Sequence, residues 1–522
     1  MRSARKVRSN LLLLGISLGT LFFAAWKLGV ESSLKNALDE HMQVHKPMEV
    51  PQAPWTTANR ASSHKVGSFP SDHKLNSTMY TLDNNHLEQL VKSLQLKLDD
   101  AWVSETPSLF AKEEFKDLDI PEFQARVPAV VYHKETILAF CEARFDTVMD
   151  WGNMMISLRR GKLTGQDVTW ERIRLIAGIP GHRTMNPTPI VDHKKNAIVL
   201  VFSAFPTNMT FFDLVKRRGK RLSRVYVIKS YDVGLTWTDP VEITNQTIGK
   251  MKPFPVLYAP GPGHSIQMKS GRLIVPGNFF TTERRRSISG MCSDCTNLAS
   301  IIYSDDGGIT WHLGAETNPA KDARGARIYP NEAQLAEVED GTLYMNLRTL
   351  DGVQPRAYCY SYDGGQSLTP VQLHPTLVEP GYRKKNNVWK PTSPGGCQGS
   401  VIAVNFGSPS QRPTSQQKWL VFSNPADPLS RVNLGIRVSA DRGSSWSNPW
   451  IIFPYKAGYS DMVYIETTVA GKPVQYFAII FEGGSSRFSD HVKFRMFNIE
   501  ALIQNILKHE TNERLHRRPS EI

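Results

Sequence analysis

The sequence predicts an all-β chain folded as a six-bladed β-propeller, and two observations carry that prediction. From about residue 120 the chain breaks into short apolar or alternating runs, VPAVVYH, NAIVLVFSAF, RVYVIKS, GRLIVPGNFF, GTLYMNLR, KWLVFS and HVKFRMFNI, separated by Gly, Asp, Asn and Pro. Such runs read as strands. Within this region the pattern S-x-D-x-G-x-[ST]-[WL] recurs at Ser230–Trp237, Ser304–Trp311, Ser361–Leu368 and Ser439–Trp446, its aspartates (Asp232, Asp306, Asp363, Asp441) 74, 57 and 78 residues apart. An Asp that bonds its own turn backbone, a Gly free to take positive φ and a closing apolar plug make each copy a stable hairpin tip. The intervals suit one four-stranded blade each, and roughly 380 residues at that period give about six blades.

The flanking elements follow from local pattern. Arg2, Arg5, Lys6 and Arg8 precede an apolar stretch from Leu11 to Trp26, which Lys27 interrupts before Leu28, Gly29 and Val30. That stretch reads as a secretory signal or an anchor. Its length approaches the roughly 20 residues of a spanning helix and no clean A-x-A site follows, which favours a cytoplasmic tail and uncleaved signal anchor over residues 1–30. The positive cluster then places the rest of the chain in a lumen or outside the cell, as a single-pass type II protein of the Golgi, lysosome or plasma membrane. Cleavage would instead release it as a secreted protein. Three acceptor sequons, at Asn76, Asn208 and Asn245, agree with that topology. Residues 31–105 read as a stem, first solvated and rich in His, Pro, Ser and Lys, then helical over about 83–100. There Asp83 is the candidate N-cap, and Leu87, Leu90, Val91, Leu94 and Leu98 form one apolar face that would pack on the main domain. The propeller is assigned to residues 106–505, closed by a helical pattern from Ile499 to His509, and residues 506–522 form a basic tail.

Composition narrows the partners. Sixty-two Lys and Arg against 49 Asp and Glu give a net charge of +13 on 522 residues, a modest excess that names no partner by itself. Nucleic acid, suggested by Lys216–Arg221 and Arg284–Arg286, ranks last because an extracytoplasmic chain would not meet it, and these runs read as solvated loops. Five Cys are too few for a disulfide scaffold, although Cys292 and Cys295 are spaced for a local bridge. One C-x-x-C without further ligands does not make a zinc site, so neither a metal nor an organic cofactor is called for.

Three further segments, H-R-T-M-N-P-T-P (His182–Pro189), G-P-G-H (Gly261–His264) and G-C-Q-G-S-V-I (Gly396–Ile402), join the repeats in a family pattern. The repeats resemble the Asp boxes of the sialidase (neuraminidase) superfamily, and about residues 120 to 500 resemble animal exo-α-sialidases of the cytosolic and plasma-membrane type. The resemblance implies a retaining hydrolase that removes terminal α-linked sialic acid from glycoproteins, oligosaccharides or gangliosides. The boxes of that family lie away from its active site, so the chemistry has to be sought in other residues.

A sialoside carries a carboxylate on its anomeric carbon, and a planar, permanently charged Arg grips such a group bidentately where Lys offers a point charge. By their surroundings Arg126 (A-R-V-P), Arg348 (N-L-R-T) and Arg431 (S-R-V-N-L-G) match the family's carboxylate-binding set. A carboxylate nucleophile would be repelled by the substrate's own. A neutral Tyr would not, but with an ordinary pKa of about 10 it needs an adjacent base. The resemblance assigns Tyr459 (G-Y-S-D) as nucleophile and Glu332 (N-E-A-Q) as that base. It assigns the acid/base to Asp150, nine residues before Arg159 of R-R-G, with Asp146 as the competing choice. Flanking Met149 and Trp151 are expected to desolvate Asp150 and raise its pKa, so that it starts protonated as general acid. Arg144 corresponds to a position near the sugar's C4, and Glu482 (F-E-G-G) to a partner of one arginine. Met185 and Asn186 correspond to the acetamido pocket, where a thioether suits a methyl group.

The sequence departs from the family pattern at Ala125, where an aromatic is common, and at Leu368, which replaces a box Trp. Asn278, Phe280 and Phe211 stand where relatives place Tyr hydroxyls and a loop carboxylate near the sugar's glycerol tail, which leaves the preferred acidic sugar open. Two other readings compete: a sialic-acid-binding propeller that has lost turnover, and an Asp-box receptor domain for protein ligands. Retention of Asp150, Glu332 and Tyr459 argues against the first, and the arginine set against the second. Nothing in the sequence sets the oligomeric state.

Overall fold

The apolar runs become antiparallel strands. VPAVVYH lies in Gln124–His133, while NAIVLVFSAF, GRLIVPGNFF and HVKFRMFNI overlap Ala197–Pro206, Leu273–Thr282 and His491–Asn498. The structure, a computed structural model, describes residues 81–516 apart from 107, 112–113, 116–119, 218–219, 283–294, 351–353, 386–387, 392–394 and 407–417. The expected anchor, the sequon at Asn76, the run Arg284–Arg286 and Cys292 therefore lie outside the described residues. Among the described residues no helix is long and apolar enough to cross a membrane.

Strands that follow one another in sequence pair into successive antiparallel sheets. The first holds Gln124–His133, Thr136–Arg144, Met154–Thr164 and Asp167–Trp170, with Arg174–Ala177 beside the third; the second holds His182–Asp192, Ala197–Pro206, Arg224–Ser230 and Val241–Glu242. Leu257–Pro260, Leu273–Thr282, Cys295–Ser304 and His312–Glu316 build the third, and Pro330–Glu339, Thr342–Thr349, Ala357–Ser361 and Gln372–Leu373 the fourth. A seven-stranded sheet runs from Ser400–Val404 through Trp419–Pro425, Val432–Ser439, Trp450–Val469, Lys472–Gly484 and His491–Asn498 to Val103–Thr106.

Burial explains the sequence texture of these strands. TILAFCEAR is buried at every position, whereas the outermost strand of its sheet, DVTW, alternates between exposed and half-buried. A strand covered on both faces must be apolar throughout, and only an outer one can alternate. The covering comes from the next sheet in the chain. Leu138 and Leu158 pack on Ile198 and Leu200, Val199 and Val227 on Leu273 and Val275, Ile274 and Ile301 on Leu335 and Met345, and Ala336 and Tyr344 on Val401 and Phe422. Ile480, Phe494 and Met496 of the last sheet then return to Val130, Ile137 and Ala139 of the first. The stacking closes into a ring, an all-β propeller-like fold in which each fully buried Leu or Ile contributes about 1.5–3 kcal/mol.

The four repeated turns superimpose in chemistry as well as in sequence. Ser230, Ser304, Ser361 and Ser439 each donate Oγ–H to the repeat Asp at 2.8 Å and accept a Gly N–H at 2.7–2.9 Å. The same Asp takes the backbone N–H and hydroxyl of Thr236, Thr310, Ser367 or Ser445. Although partial burial works upward, these hydrogen bonds bring the Asp232 and Asp306 carboxyls down to about 2. Trp311 and Trp446 plug their seams at 1% exposure, and Leu368 is partly buried in the same role. The substitution of Leu for Trp is thus accommodated, as is Ala125, which is buried in the last seam.

The boundaries of the stem and tail need correction. Val103–Thr106, assigned to the stem, pairs with His491–Asn498 and completes the last sheet. Leu82 N–H donates to Trp446 O at 3.1 Å, and the stripe Leu87, Leu90, Val91, Leu94 and Leu98 packs on that sheet together with Leu502, Ile503 and Ile506 of the final helix, Ile499–His516. Asp83 caps the helix that follows it, Asn84–Leu94, through Asn85 N–H, but the helix stops at Leu94 instead of near 100 because Gln95 turns left-handed, with φ 52°. Cys295 is disulfide-bonded, while Cys141, Cys359 and Cys397 are free and buried.

Candidate active site

The inner strands that carry the nominated residues are interrupted where those residues sit. Register shifts fall between Arg126 and Ala129, Met185 and Thr188, Pro330 and Ala333, and Ala457 and Ser460. Pro128, Pro187 and Pro330 mark three of these places, as expected of a residue without the N–H that an inner strand requires. A bulge sets two residues against one and re-aims the side chains. Val127 and Asn186 take left-handed φ values of 54° and 59° within two of them, a conformation that a β-branched Val adopts only when its surroundings impose it.

Beneath the bulges one carboxylate ties the inner strands together. Asp461, fully buried, accepts from Val130 N (2.8 Å), His264 N and Nδ1 (2.7 Å each), Gln334 Nε2 (2.7 Å) and Ser400 Oγ (2.9 Å). These donors come from four separate parts of the chain, and a buried charge of this kind is stable only when so satisfied. Gly263 is required here: its φ is 95°, and a Cβ would overlap the Gln334 amide. The segments G-P-G-H and G-C-Q-G-S-V-I thus serve the frame of the site.

Two residues along the strand from Asp461 stands Tyr459, at 9% exposure. Its hydroxyl donates to Glu332 Oε1, and Arg348 Nη1 donates to both Glu332 Oε2 (2.6 Å) and Tyr459 Oη (3.2 Å). Burial and then the Glu332 charge push the phenol well above its ordinary pKa, with Arg348 and Arg431 acting in the opposite sense. The phenol is therefore neutral and already bonded to the Glu332 carboxyl group. The guanidinium carbons of Arg126 and Arg431 lie 6.0 and 5.6 Å from the centre of the Tyr459 ring, and 5.3 and 5.0 Å from that of Phe488. All three nominated arginines thus meet around one phenol. Glu482, fully buried, orients Arg126 through Nε at 2.6 Å and accepts the N–H groups of Val127 and Tyr459.

The second carboxylate cluster adjoins the first. Val148 O accepts from both Arg126 Nη1 (3.4 Å) and Arg144 Nη1 (2.5 Å), and Arg144 Nη2 lies 3.0 Å from Asp150 Oδ1. Glu142 holds Arg144 from behind at 2.9 Å and accepts Asn186 N–H at 2.8 Å, which joins Arg144 to the Met185–Asn186 bulge. Asp146 turns instead to its own loop, accepting Asn153 N and Nδ2 at 2.8 Å each. Of the two competing carboxylates, Asp150 faces the arginines.

The expected pKa of Asp150 is overturned. Its side chain is 79% exposed, and Met149 and Trp151 are themselves 48% and 41% exposed, so these sequence neighbours do not enclose it. Desolvation by the surrounding protein works upward, but Arg144, then Arg126 and Arg183, outweigh it and hold the pKa below the ordinary carboxylate value. The ligand-free carboxylate is ionised.

Sequence reasoning did not nominate the supports of two arginines. Gly395 O accepts Arg348 Nε (3.0 Å) and Nη2 (2.8 Å), and Gly396 O accepts Arg431 Nη2 (3.0 Å). Cys397, the next residue, is clamped at both ends: its N–H donates to Glu379 Oε2 (3.0 Å) and its carbonyl accepts from Arg356 Nη1 (2.6 Å). Arg356 and Glu379 are themselves paired at 2.7 Å with both side chains fully buried. No local pattern marks this pair, whereas Glu142 and Arg144, two apart in a strand and so on one face, were legible in principle.

Asn278 is buried and accepts from Asn331, the neighbour of Glu332, at 3.0 Å, while the Phe211 and Phe280 rings meet at 5.0 Å. The described residues contain no cluster of His, Cys, Asp and Glu able to hold a metal ion.

Residues 135–471 match the BNR repeat-like domain. Over 426 residues the chain is 31% identical to Sialidase-3 of Bos taurus, spanning 77% of this chain and 95% of the relative. The chain belongs to the sialidase family. Sialidase-4 of Mus musculus is 29% identical over 468 residues, spanning 73% of this chain and 91% of that one. Among solved structures, the Hadza microbial sialidase Hz136 shares the fold with a TM-score of 0.55 at 24% identity, over 72% of this chain and 66% of the other. Membership identifies this sialidase as a glycoside hydrolase.

Proposed function

We propose that this sialidase is a retaining exo-α-sialidase in which Tyr459 is the nucleophile, Glu332 its base, Asp150 the acid/base, and Arg126, Arg348 and Arg431 the grip on the substrate carboxylate. The observation that carries the reading is the buried Tyr459–Glu332–Arg348 triangle with two further arginines against the Tyr ring. As Tyr459 Oη attacks the anomeric carbon, Glu332 takes its proton and Asp150 gives one to the departing oxygen. Water then cleaves the glycosyl-tyrosine with Asp150 as base, and Glu332 returns its proton to the phenolate, so configuration is retained. The low pKa of free Asp150 fits this sequence if binding raises it. The substrate carboxylate neutralises Arg126 and the sugar removes water, both favouring the protonated acid. Met185 and Asn186 line the N-acyl pocket, Arg144 faces C4 and Glu482 fixes Arg126.

We further read the seven-stranded sheet as two four-stranded units that share the 20-residue strand Trp450–Val469, which makes six blades. Its halves pack on each other through Val421 and Ile436 against Phe477 and Ile479, which supports that reading. Terminal sialic acids on glycoproteins, oligosaccharides or gangliosides are the substrates, and residues 1–30 anchor the enzyme as a type II protein facing a lumen or the exterior.

Hydrolysis of 3′-sialyllactose followed by NMR tests the mechanism: the α-anomer should appear first and mutarotate. A 2,3-difluorinated sialic acid should label Tyr459, seen by peptide mass. Initial β-anomer, or label on another residue, overturns it.

A further inference from the structure

Arg183 is a buried cation that the proposed chemistry does not use. It lies on His182–Asp192 at 2% exposure and has no ion-pair partner among the described residues. Its Nη1 donates to Pro206 O and Met209 O, both at 2.7 Å, its Nε lies 3.3 Å from Met185 Sδ, and its guanidinium covers the Phe205 ring at 5.3 Å. Nη2 makes no hydrogen bond among the described residues. Buried charges are ordinarily paired. This one is left unpaired beside a site whose acid/base group and substrate are both anionic.

The corner that Arg183 fastens has two further attachments. Thr207 O accepts Gly152 N–H at 3.3 Å, two residues from Asp150, and Thr207 N–H donates to Gly181 O at 3.1 Å. Beyond Met209, Thr210 caps the helix Phe211–Lys216, and Met209 and Phe211 share an apolar cluster with Met185. One guanidinium thus fastens the Met185 wall, the entry to that helix and the edge of the Asp150 loop.

We propose that Arg183 is a positioning and specificity-determining residue that holds the Met185 wall of the N-acyl pocket in register with the Asp150 loop and keeps a positive charge beside that carboxylate. The inference rests on the roles assigned above to Asp150, Met185 and Asn186. The charged groups facing Asp150 are Arg144, Arg126 and Arg183, with Glu142 behind Arg144 working against them. Asp150 must be protonated to act as acid, so activity falls as pH rises through its pKa in the complex. Removing a cation raises that pKa and moves the falling limb to higher pH.

The test compares 3′-sialyllactose with its analogue bearing hydroxyl in place of N-acetyl, using the full chain. Arg183→Met should move the falling limb of the pH profile up by about half a unit or more. It should raise KM for the N-acetyl substrate about fivefold and that for the analogue less than about twofold. Arg183→Lys keeps the charge and loses the fork, so the limb should stay and the KM discrimination should still fall. An unmoved limb with equal loss on both substrates, which structural support alone would give, overturns the proposal. If Arg183→Met does not fold, judged by near-UV circular dichroism, Arg183→Lys decides: unchanged discrimination overturns it. Failure of the underlying reading is separate, because the wild-type protein would then release no acidic sugar from either substrate.

Discussion

The repeated turns and the axial site use the same side-chain chemistry in opposite ways. In each turn a carboxylate is satisfied by residues within four positions of it. At the axis the partners of Asp461 come from as far as 331 positions away, and those of Glu482 from as far as 356. The turns are therefore complete as soon as a local hairpin forms, and each copy can be lost or altered by itself. The site exists only when the ring has closed. A second contrast concerns charge: the turn aspartates have met their donors and do nothing further, while the arginines of the site are held by Glu482, Gly395 O and Gly396 O and gather around the Tyr459 ring.

The largest effect expected on the axial side is from Tyr459→Phe, which removes one oxygen. Turnover of sialyllactose should fall by about three orders of magnitude or more with little change in melting temperature. A fall of less than tenfold would break the separation of chemistry from frame. Asp150→Ala should follow, losing roughly 10²- to 10⁴-fold on sialyllactose and far less on an aryl sialoside whose leaving group needs no proton. Asp146→Ala should lose less than about tenfold on either, because it affects only the Asn153 turn. Equal defects in the two Asp variants would erase the distinction drawn between them.

Glu379→Gln sharpens the comparison from within the frame. It leaves Arg356 buried without its counter-charge, which is expected to destabilise the fold by about 3–5 kcal/mol, and it loosens the backbone that holds Arg348 and Arg431. Unfolding in urea should show the loss, and KM for the sialoside should rise alongside it. A stability loss with unchanged KM would mean that the clamp supports the ring alone.

The smallest effect belongs to the rim. Asp306→Ala should lower stability by about 1–2 kcal/mol with kcat and KM unchanged. A paired change in Asp232 and Asp306 should add, since the turns share no partner. The pH sign follows from their depressed carboxyls. With folded-state values of about 2 for Asp232 and Asp306 against an ordinary value of about 3.9, their contribution is intact above about pH 4 and is lost as pH falls toward 2. Acid unfolding of the wild type and the double variant should converge across that window.

What the sequence determined by itself is whatever depends on near neighbours. The strands follow from apolar runs, the four turns from Ser, Asp and Gly at fixed offsets, and the cap at Asp83 from one side chain and its own helix. The candidate site residues, and the grouping of Tyr459 with Glu332 and of Arg126 with Arg348 and Arg431, came through the resemblance and not from any local pattern. Nothing local to Tyr459 predicts that its hydroxyl meets a carboxylate 127 positions earlier in the chain, or that Arg356 and Glu379 hold the backbone behind two arginines. The bulges were half-visible, since Pro128, Pro187 and Pro330 interrupt inner strands where the site residues leave the ladder. The ionisation of Asp150 shows the limit most clearly. Its flanking Met149 and Trp151 suggested a desolvated, protonated acid, but a pKa responds to the charges around a group in space, and arginines on three strands around its loop, Arg144, Arg126 and Arg183, prevail over its immediate neighbours. Local backbone and side-chain preferences act over a few residues and can be read from the chain. Electrostatics and long-range hydrogen bonds act through space, so only the closed ring decided them.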